Sequence, residues 1–336
     1  MEVYILNSSL EPIATIDTFK SLIWTKRYYN CGDFELYIPA DKSLLSLFSP
    51  DNFVARDDDD SVMCIERLEI RTDIEDGDFF IVSGRSLESI LARRIVGSQT
   101  IITVSDVVQG LKELVTEWTT YIDLTIDDSL TYEYEMSTQL TGDNLLDAVS
   151  AICTRFGIGL RMTIDGDGFL LAFYQGEATD VVFSPEFDNL TSSSYVMDYT
   201  DYANYCKVLG EGEGTARIGV NIYRSPQELG IKKRCIFVDA KDISRNGGDI
   251  SSADYLPMLI ERGWENLEQH RVTQSFEAQI DPDASYKYKR DYNLGDTVTI
   301  ENDYGVTARA RIVEIIECWD ENGYTIIPNF DKLEVQ

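Results

Sequence analysis

The sequence predicts a mostly β chain of the α+β class, in three blocks. Period-two apolar runs broken by turn signals fill residues 1–104 and return in 197–336. Apart from a short one after Ser86, helical stripes fall in the middle block, 105–196, and in one insertion at about 251–271. No Pro- or Ser-rich linker separates the blocks, so they are expected to pack on one another.

In the first block, Phe34, Leu36 and Ile38 alternate with Glu35 and Tyr37, the pattern of a half-buried strand. Met63–Ile70 reads as a second strand, turning at Asp76-Gly77 into Phe79–Val82. Ser86 is placed to cap a short helix with Leu87, Ile90, Leu91 and Ile95 inward. Asp57–Asp60 reads as a solvated loop, because four adjacent carboxylates cannot all converge on one ion.

The middle block opens with Ser105 as the expected cap of a helix carrying Val107, Val108, Leu111, Leu114, Val115 and Trp118 on one face. A second helix after Asp143 turns Leu145, Leu146, Val149, Ile152, Cys153 and Phe156 inward and stops at Gly157. A hairpin follows, Ile158–Ile164 and Phe169–Tyr174 around Asp165-Gly166-Asp167-Gly168.

In the third block, Val208–Gly214 leads into a strand over Ala216–Tyr223, and Cys235–Asp239 is another. The inserted helix, about Ser252–His270, has an apolar stripe of Leu256, Leu259, Ile260, Trp264 and Leu267. Pro257 lies in its first turns, where a missing N–H costs little. Strands close the chain: Phe276–Ile280, Asp296–Ile300, Val306–Ile316 and Tyr324–Ile327, with turns at Asn293–Asp296 and Glu321-Asn322-Gly323.

Composition narrows the function. The 336 residues hold 29 Lys and Arg against 59 Asp and Glu, a net charge of −30, with 43% hydrophobic residues. That is enough apolar content for packed cores, and the length suits two or three domains. The charge argues against gripping nucleic acid, which takes clustered cations, and against an anionic membrane. The single His leaves little room for His-based metal or catalytic centres. The N-terminus reads as free of a signal peptide, and no stretch approaches the roughly 18 apolar residues of a membrane span. The scattered Cys31, Cys64, Cys153, Cys206, Cys235 and Cys318 are expected as small core residues of a protein made in a reducing cytoplasm.

Four motifs invite a chemical reading, and each has a plainer one. Gly210-Glu211-Gly212-Glu213-Gly214 lacks the helix a phosphate loop needs, since Thr215–Val220 is strand-like, and its two Glu repel phosphate. An interstrand loop at an interface, centred on Glu211, Gly212 and Glu213, is preferred. Asp165-Gly166-Asp167-Gly168 opens like a calcium loop, but position twelve is Gly176 rather than Glu, so a hairpin turn is preferred. His270 ends a helix beside Glu268 and Arg271 with no nucleophile motif, which suits a helix-end cation. Carboxylate pairs carry no information among 59 acids, and the 19 Tyr are spread over the chain as interface residues would be. No catalytic, cofactor-binding or metal-ligating residue is assigned.

Several segments resemble siphophage and prophage tail-hub proteins. Ser21–Tyr29, then Gly32-Asp33-Phe34-Glu35-Leu36, looks like the family's opening strand with its Trp-x-x-Arg-Tyr and Gly-x-Phe-Glu-Leu. Val208–Gly214, Phe237–Ile243, Asp291–Ile300 and Arg311–Ile315 follow in the family's order. The resemblance implies two related β-barrel domains, at 1–104 and 197–336, with 105–196 as a peripheral domain. It implies a homotrimeric hub at the tail tip or baseplate, assembled in the host cytoplasm. Such a hub joins a six-fold distal-tail or tail-tube ring to a three-fold tip or fibre, and lets the tape measure protein and DNA pass. It implies no enzyme, no cofactor and no membrane anchor. Many relatives continue into a lytic or receptor-binding region, whereas this sequence ends at Gln336. A tail-associated wall hydrolase and a carbohydrate-binding adhesin are the competing readings.

Overall fold

The computed structural model describes the chain apart from residues 74–76, 98–99, 225–229, 246, 248–249, 282–284, 305–306 and 336. Asp76 of the expected turn and Val306 of the expected strand lie outside the described residues.

Thirteen strands join in one sheet. From one edge the order is Leu190–Asp198, Thr273–Ile280, Gly323–Val335, Thr307–Asp320, Ser21–Arg27, Asp33–Pro39, Gly77–Ser86, Asp59–Asp73, Phe53–Arg56, Val3–Leu6 and Pro12–Ile16. Thr297–Glu301 also pairs with Thr307–Asp320 and takes Ala178–Phe183 alongside in parallel. The two β-rich blocks therefore share a sheet, stitched where Ser21–Arg27 lies antiparallel to Thr307–Asp320 from Leu22↔Trp319 to Arg27↔Glu314. No ladder closes into a barrel among the described residues, so the expected pair of closed barrels is not seen. Each block nevertheless curls round its own core. Ile16 from one end of the N-terminal strand series packs in the same cluster as Leu22 and Trp24 from the other end. Phe183, Ile300, Ile312 and Phe330 fill the second.

Alternation explains the strands. In Asp33–Pro39, Phe34, Leu36 and Ile38 are buried while Glu35 and Pro39 are exposed. Leu87–Arg93 is a 3₁₀ helix, and Ser86 makes no capping bond to it. The Ser86 hydroxyl instead accepts from the Gly32 N–H (2.7 Å) and donates to Glu88. Ile95, expected inward, is 66% exposed because the 3₁₀ helix ends at Arg93.

The middle block pairs Thr100–Asp106 with Glu133–Leu140 and carries helices α1 (Val107–Trp118) and α2 (Leu145–Phe156). Asp106 caps α1 by accepting from Gln109; Ser105 is still in the strand. Asn144 caps α2, and Gly157 ends it at φ 67°, a left-handed value favouring glycine. Gly159–Asp165 and Gly168–Tyr174 form the expected hairpin, with Asp165 opposite Gly168. Leu124–Ile126 joins it in parallel.

Part of the third block departs from expectation. Tyr205–Leu209, Gly219–Tyr223 and Cys235–Asp239 leave the large sheet and form a three-stranded sheet of their own. Helix α3 (Ser252–Gln269) covers it, so the helix belongs to a second α+β unit rather than standing alone. Its buried face is turned from the expected stripe. Tyr255, Met258, Leu259 and Leu267 are buried, while Leu256 and Ile260 are each 38% exposed. Gly263 permits the close approach, since a Cβ there would sit 2.1 Å from Ile222. Four cysteines are buried as expected, but Cys235 is exposed. No helix among the described residues is long and apolar enough to cross a membrane.

Candidate functional site

Tyr28 is where three blocks meet. It follows the seam strand Ser21–Arg27, and its own N–H donates to Val313 O at 2.8 Å. Its hydroxyl reaches Gly157 O (3.2 Å) and Tyr174 O (3.1 Å) and accepts from the Gly176 N–H (3.2 Å). The Arg311 guanidinium lies 5.3 Å from the ring centroid and donates to Gly295 O at 2.6 Å. Gly159 and Gly295 both press on the ring; a Cβ at either would come within 2.3 Å of it. Gly295 also needs its φ of 96° to turn the chain there. Burial pushes the Tyr28 hydroxyl's pKa up, against the opposing pull of Arg311.

Beside this joint runs an ionic seam. Arg56, its side chain fully buried, donates to Asp58 (2.8 Å) and to Glu317 (3.2 Å) and stacks 4.2 Å from the Trp319 ring centroid. Asp59 is bound by Lys26, and by Lys289 at 2.7 Å. Tyr324 donates to Glu317 at 3.0 Å. Burial alone would raise the Asp59 carboxyl, but Lys26 and Lys289 outweigh it and hold it well below the usual carboxylate range. The expected solvated loop at Asp57–Asp60 is thus corrected: its central carboxylate is a buried partner of two lysines from opposite ends of the chain. Among the described residues, no group of acids, Cys or His is arranged to hold a metal ion. An open cleft of about 850 Å³ adjoins the seam, lined by Lys26, Asp57–Asp60, Arg161, Tyr174, Glu177, Lys289 and Asp296 among others.

The structure separates the sequence candidates. The Gly210–Gly214 loop joins two strands of the second α+β unit, about where an interstrand loop was expected. Glu211 is half-buried: its N–H donates to the Tyr255 hydroxyl (2.8 Å), and its carboxylate accepts from the Arg245 N–H (2.9 Å). Gly212, at φ 117°, and Glu213 are exposed. His270 closes α3, with Nδ1 3.0 Å from Asp201 O. None of these touches the seam. The seam residues carried no local signal, since Arg56 and Glu317 are 261 positions apart. Of the joint and seam, Lys26, Tyr28, Gly295, Arg311 and Val313 fall within segments the family resemblance picks out, whereas Arg56, Asp59, Lys289, Glu317 and Trp319 do not.

This arrangement of one long sheet flanked by two α+β units is the fold of prophage tail proteins. The 43 kDa tail protein of prophage MuSo2 from Shewanella oneidensis superposes with a TM-score of 0.63 at 14% identity, over 99% of this chain and 98% of its own. A tail protein from Neisseria meningitidis MC58 gives 0.62 at 12%, over 98% and 96%. Prophage tail protein gp18 from Listeria monocytogenes EGD-e gives 0.57 at 10%, over 98% and 94%. The chain belongs to the Siphovirus ReqiPepy6 Gp37-like protein family, whose model matches residues 2–330. No curated protein matches it in sequence. Family and fold agree with the tail-protein resemblance of the sequence.

Proposed function

We propose that the chain is a structural, non-enzymatic hub of a phage tail tip or baseplate, acting as a homotrimer. The observation that carries this reading is the end-to-end likeness to prophage tail proteins over 99% of the chain. In the trimer, residues 1–104 and 197–336 supply two β domains per copy, matching a six-fold distal-tail or tube ring to a three-fold tip. Two features suit the role. Among the described residues the large sheet has terminal strands at Pro12–Ile16, Leu190–Asp198 and, on its branch, Ala178–Phe183, and Pro12–Ile16 offers an edge that can continue into a neighbouring copy. The exposed Gly212 and Glu213, with Glu211 behind them, form a projecting interface loop. A stable interface of this kind should bury more than about 1,000 Å².

The charge fits a conduit. Three copies at −30 each would line a channel that repels DNA and lets it and the tape measure protein pass. Gold-labelled antibody against this chain on intact particles should decorate the tail end distal to the head. Labelling along the tube, or none on intact and opened particles alike, would overturn the proposal. Reversing several lumenal acids to Lys should slow DNA ejection, and an unchanged rate would reduce the charge to a solubility feature.

A further inference from the structure

We infer that the bare face of the second α+β unit's sheet docks head-to-tail on an acidic surface of a second copy of this chain. Helix α3 covers the other face, where Cys206, Val208 and Ile222 are buried. The strand register sends Tyr205, Lys207, Tyr223 and Phe237 to the bare side. Tyr205 stands opposite Tyr223, and Lys207 opposite Phe237. Phe237 is 58% exposed and Tyr223 41%. The Tyr205 and Tyr223 ring centroids are 4.8 Å apart, and Lys233 Nζ lies 3.8 Å from that of Tyr205. The face is therefore aromatic and cationic, where a sheet with one solvated side usually turns plain polar residues to water.

Charge sets this face apart from the rest of the molecule. Residues 205–241 hold seven Lys and Arg against four Asp and Glu, a net +3, which leaves −33 on the rest of a −30 chain. Asp239, on the same sheet, is already held by Arg217. Lys207 and Lys233 make no ion pair among the described residues, although acids outnumber bases two to one along the chain. Resting on the Tyr205 ring, the Lys233 ammonium is placed in advance, which lowers the ordering cost of docking. Phe237, beside Lys207, is the apolar anchor of the contact.

The occupant follows from the signs. Two such faces repel each other, so a symmetric dimer through them is disfavoured. The complementary surface is the acidic remainder, and every other copy supplies it. A contact between unlike patches is heterologous, and heterologous contacts that close make rings. Three copies about one axis meet that condition. The inference thus rests on the homotrimer proposed above and names the face it uses. Single-stranded nucleic acid fits less well. Its bases stack on open rings, whereas Lys233 already covers Tyr205, and the acidic remainder repels phosphate.

The test uses the full chain, ordinary copies mixed with copies labelled in heavy nitrogen. A carbodiimide joins touching lysines and carboxylates without a spacer. Mass spectrometry should find mixed-isotope links from Lys207 or Lys233 to acids outside 205–241. Sedimentation at about 0.5 mM should show a trimer. Phe237→Ala and Lys207→Glu, both at exposed positions, should each weaken it about tenfold or more. Tyr304→Ala, at a position 93% exposed, should change nothing. A trimer that both face variants leave intact, or whose face lysines link only within one copy, would overturn the face and leave the hub standing. A chain that stays monomeric, a symmetric dimer, or tighter binding of oligothymidylate than of a second copy would also overturn the inference; the hub would then be judged on particles.

Discussion

The two α+β units are built alike, a small sheet covered by helix, but they are attached differently. The first, residues 100–174, shares its apolar core with the N-terminal strands: Leu6, Phe53, Val62 and Cys64 pack in one cluster with Leu111, Val149 and Phe173. The second, 203–267, has a core to itself, closed by Val208, Ile222, Tyr255 and Leu259. It meets the first through polar contacts: Arg155 with Glu261, Thr138 to Glu265 (3.1 Å), Gln139 to Asp242 O (3.2 Å) and Arg262 to Gln139 O (3.3 Å). Apolar burial is non-directional and hard to undo locally, whereas polar docking depends on geometry and is weakened one bond at a time. The first unit is therefore bound into the scaffold by shared apolar burial, and the second is held to the first by geometry-dependent polar contacts.

The largest effect should come from Tyr28, where the first unit is locked to both halves of the sheet. Tyr28→Ala empties a buried ring site and is expected to cost about 3–5 kcal/mol in denaturant unfolding. Tyr28→Phe keeps the ring but strands the carbonyls of Gly157 and Tyr174, costing about 1–3 kcal/mol. If both variants unfold like wild type, the first unit is not held as described.

Next, Glu261→Ala leaves Arg155 unpaired at the polar contact. The expected cost is about 1–3 kcal/mol, and hydrogen exchange should speed up in α3 while α1 stays protected. Equal acceleration in both helices would erase the contrast between the units.

A third prediction concerns pH. Asp59 is depressed in the fold, so it contributes stability above its usual value of 3.8, lost as pH falls through the depressed folded value. Glu88 is the opposite case. Burial raises its carboxyl, although the Met162 N–H donates to it at 2.7 Å. Its contribution is present below the usual value of 4.5 and is lost as pH rises through the raised one. Asp59→Asn should flatten the acid side of the stability–pH curve, and Glu88→Gln the segment above it. Curves parallel to wild type would remove both assignments.

The smallest effect belongs to the exposed loop of the second unit. Glu213→Lys should change monomer stability by less than about 0.5 kcal/mol while lowering recovery of assembled tails. Normal assembly would discount the loop as an interface.

The same contrast separates what was legible in the sequence from what was not. Signals within one element were readable: the buried face of α2, its Gly157 cap and the Asp165–Gly168 hairpin. Ser105 and Asp106 are adjacent capping residues, both within the strand Thr100–Asp106, and only the reach of the Asp106 carboxylate to the Gln109 N–H decides between them. The α3 stripe was misjudged because Tyr255 and Met258 read as well outward as inward until Gly263 fixes the contact. Strand signals do not name strand partners, so the departure of Tyr205–Asp239 from the large sheet was hidden. The seam was least legible of all, since Lys26, Asp59, Lys289 and Glu317 are gathered by topology alone.

The hub proposal is tested most directly by the symmetry of density around this chain in averaged images of the tail tip. The account predicts three copies about one axis, with the sheet edge Pro12–Ile16 at the contacts between them. A single copy, a six-fold ring of this chain, or density for it away from the tip would contradict it.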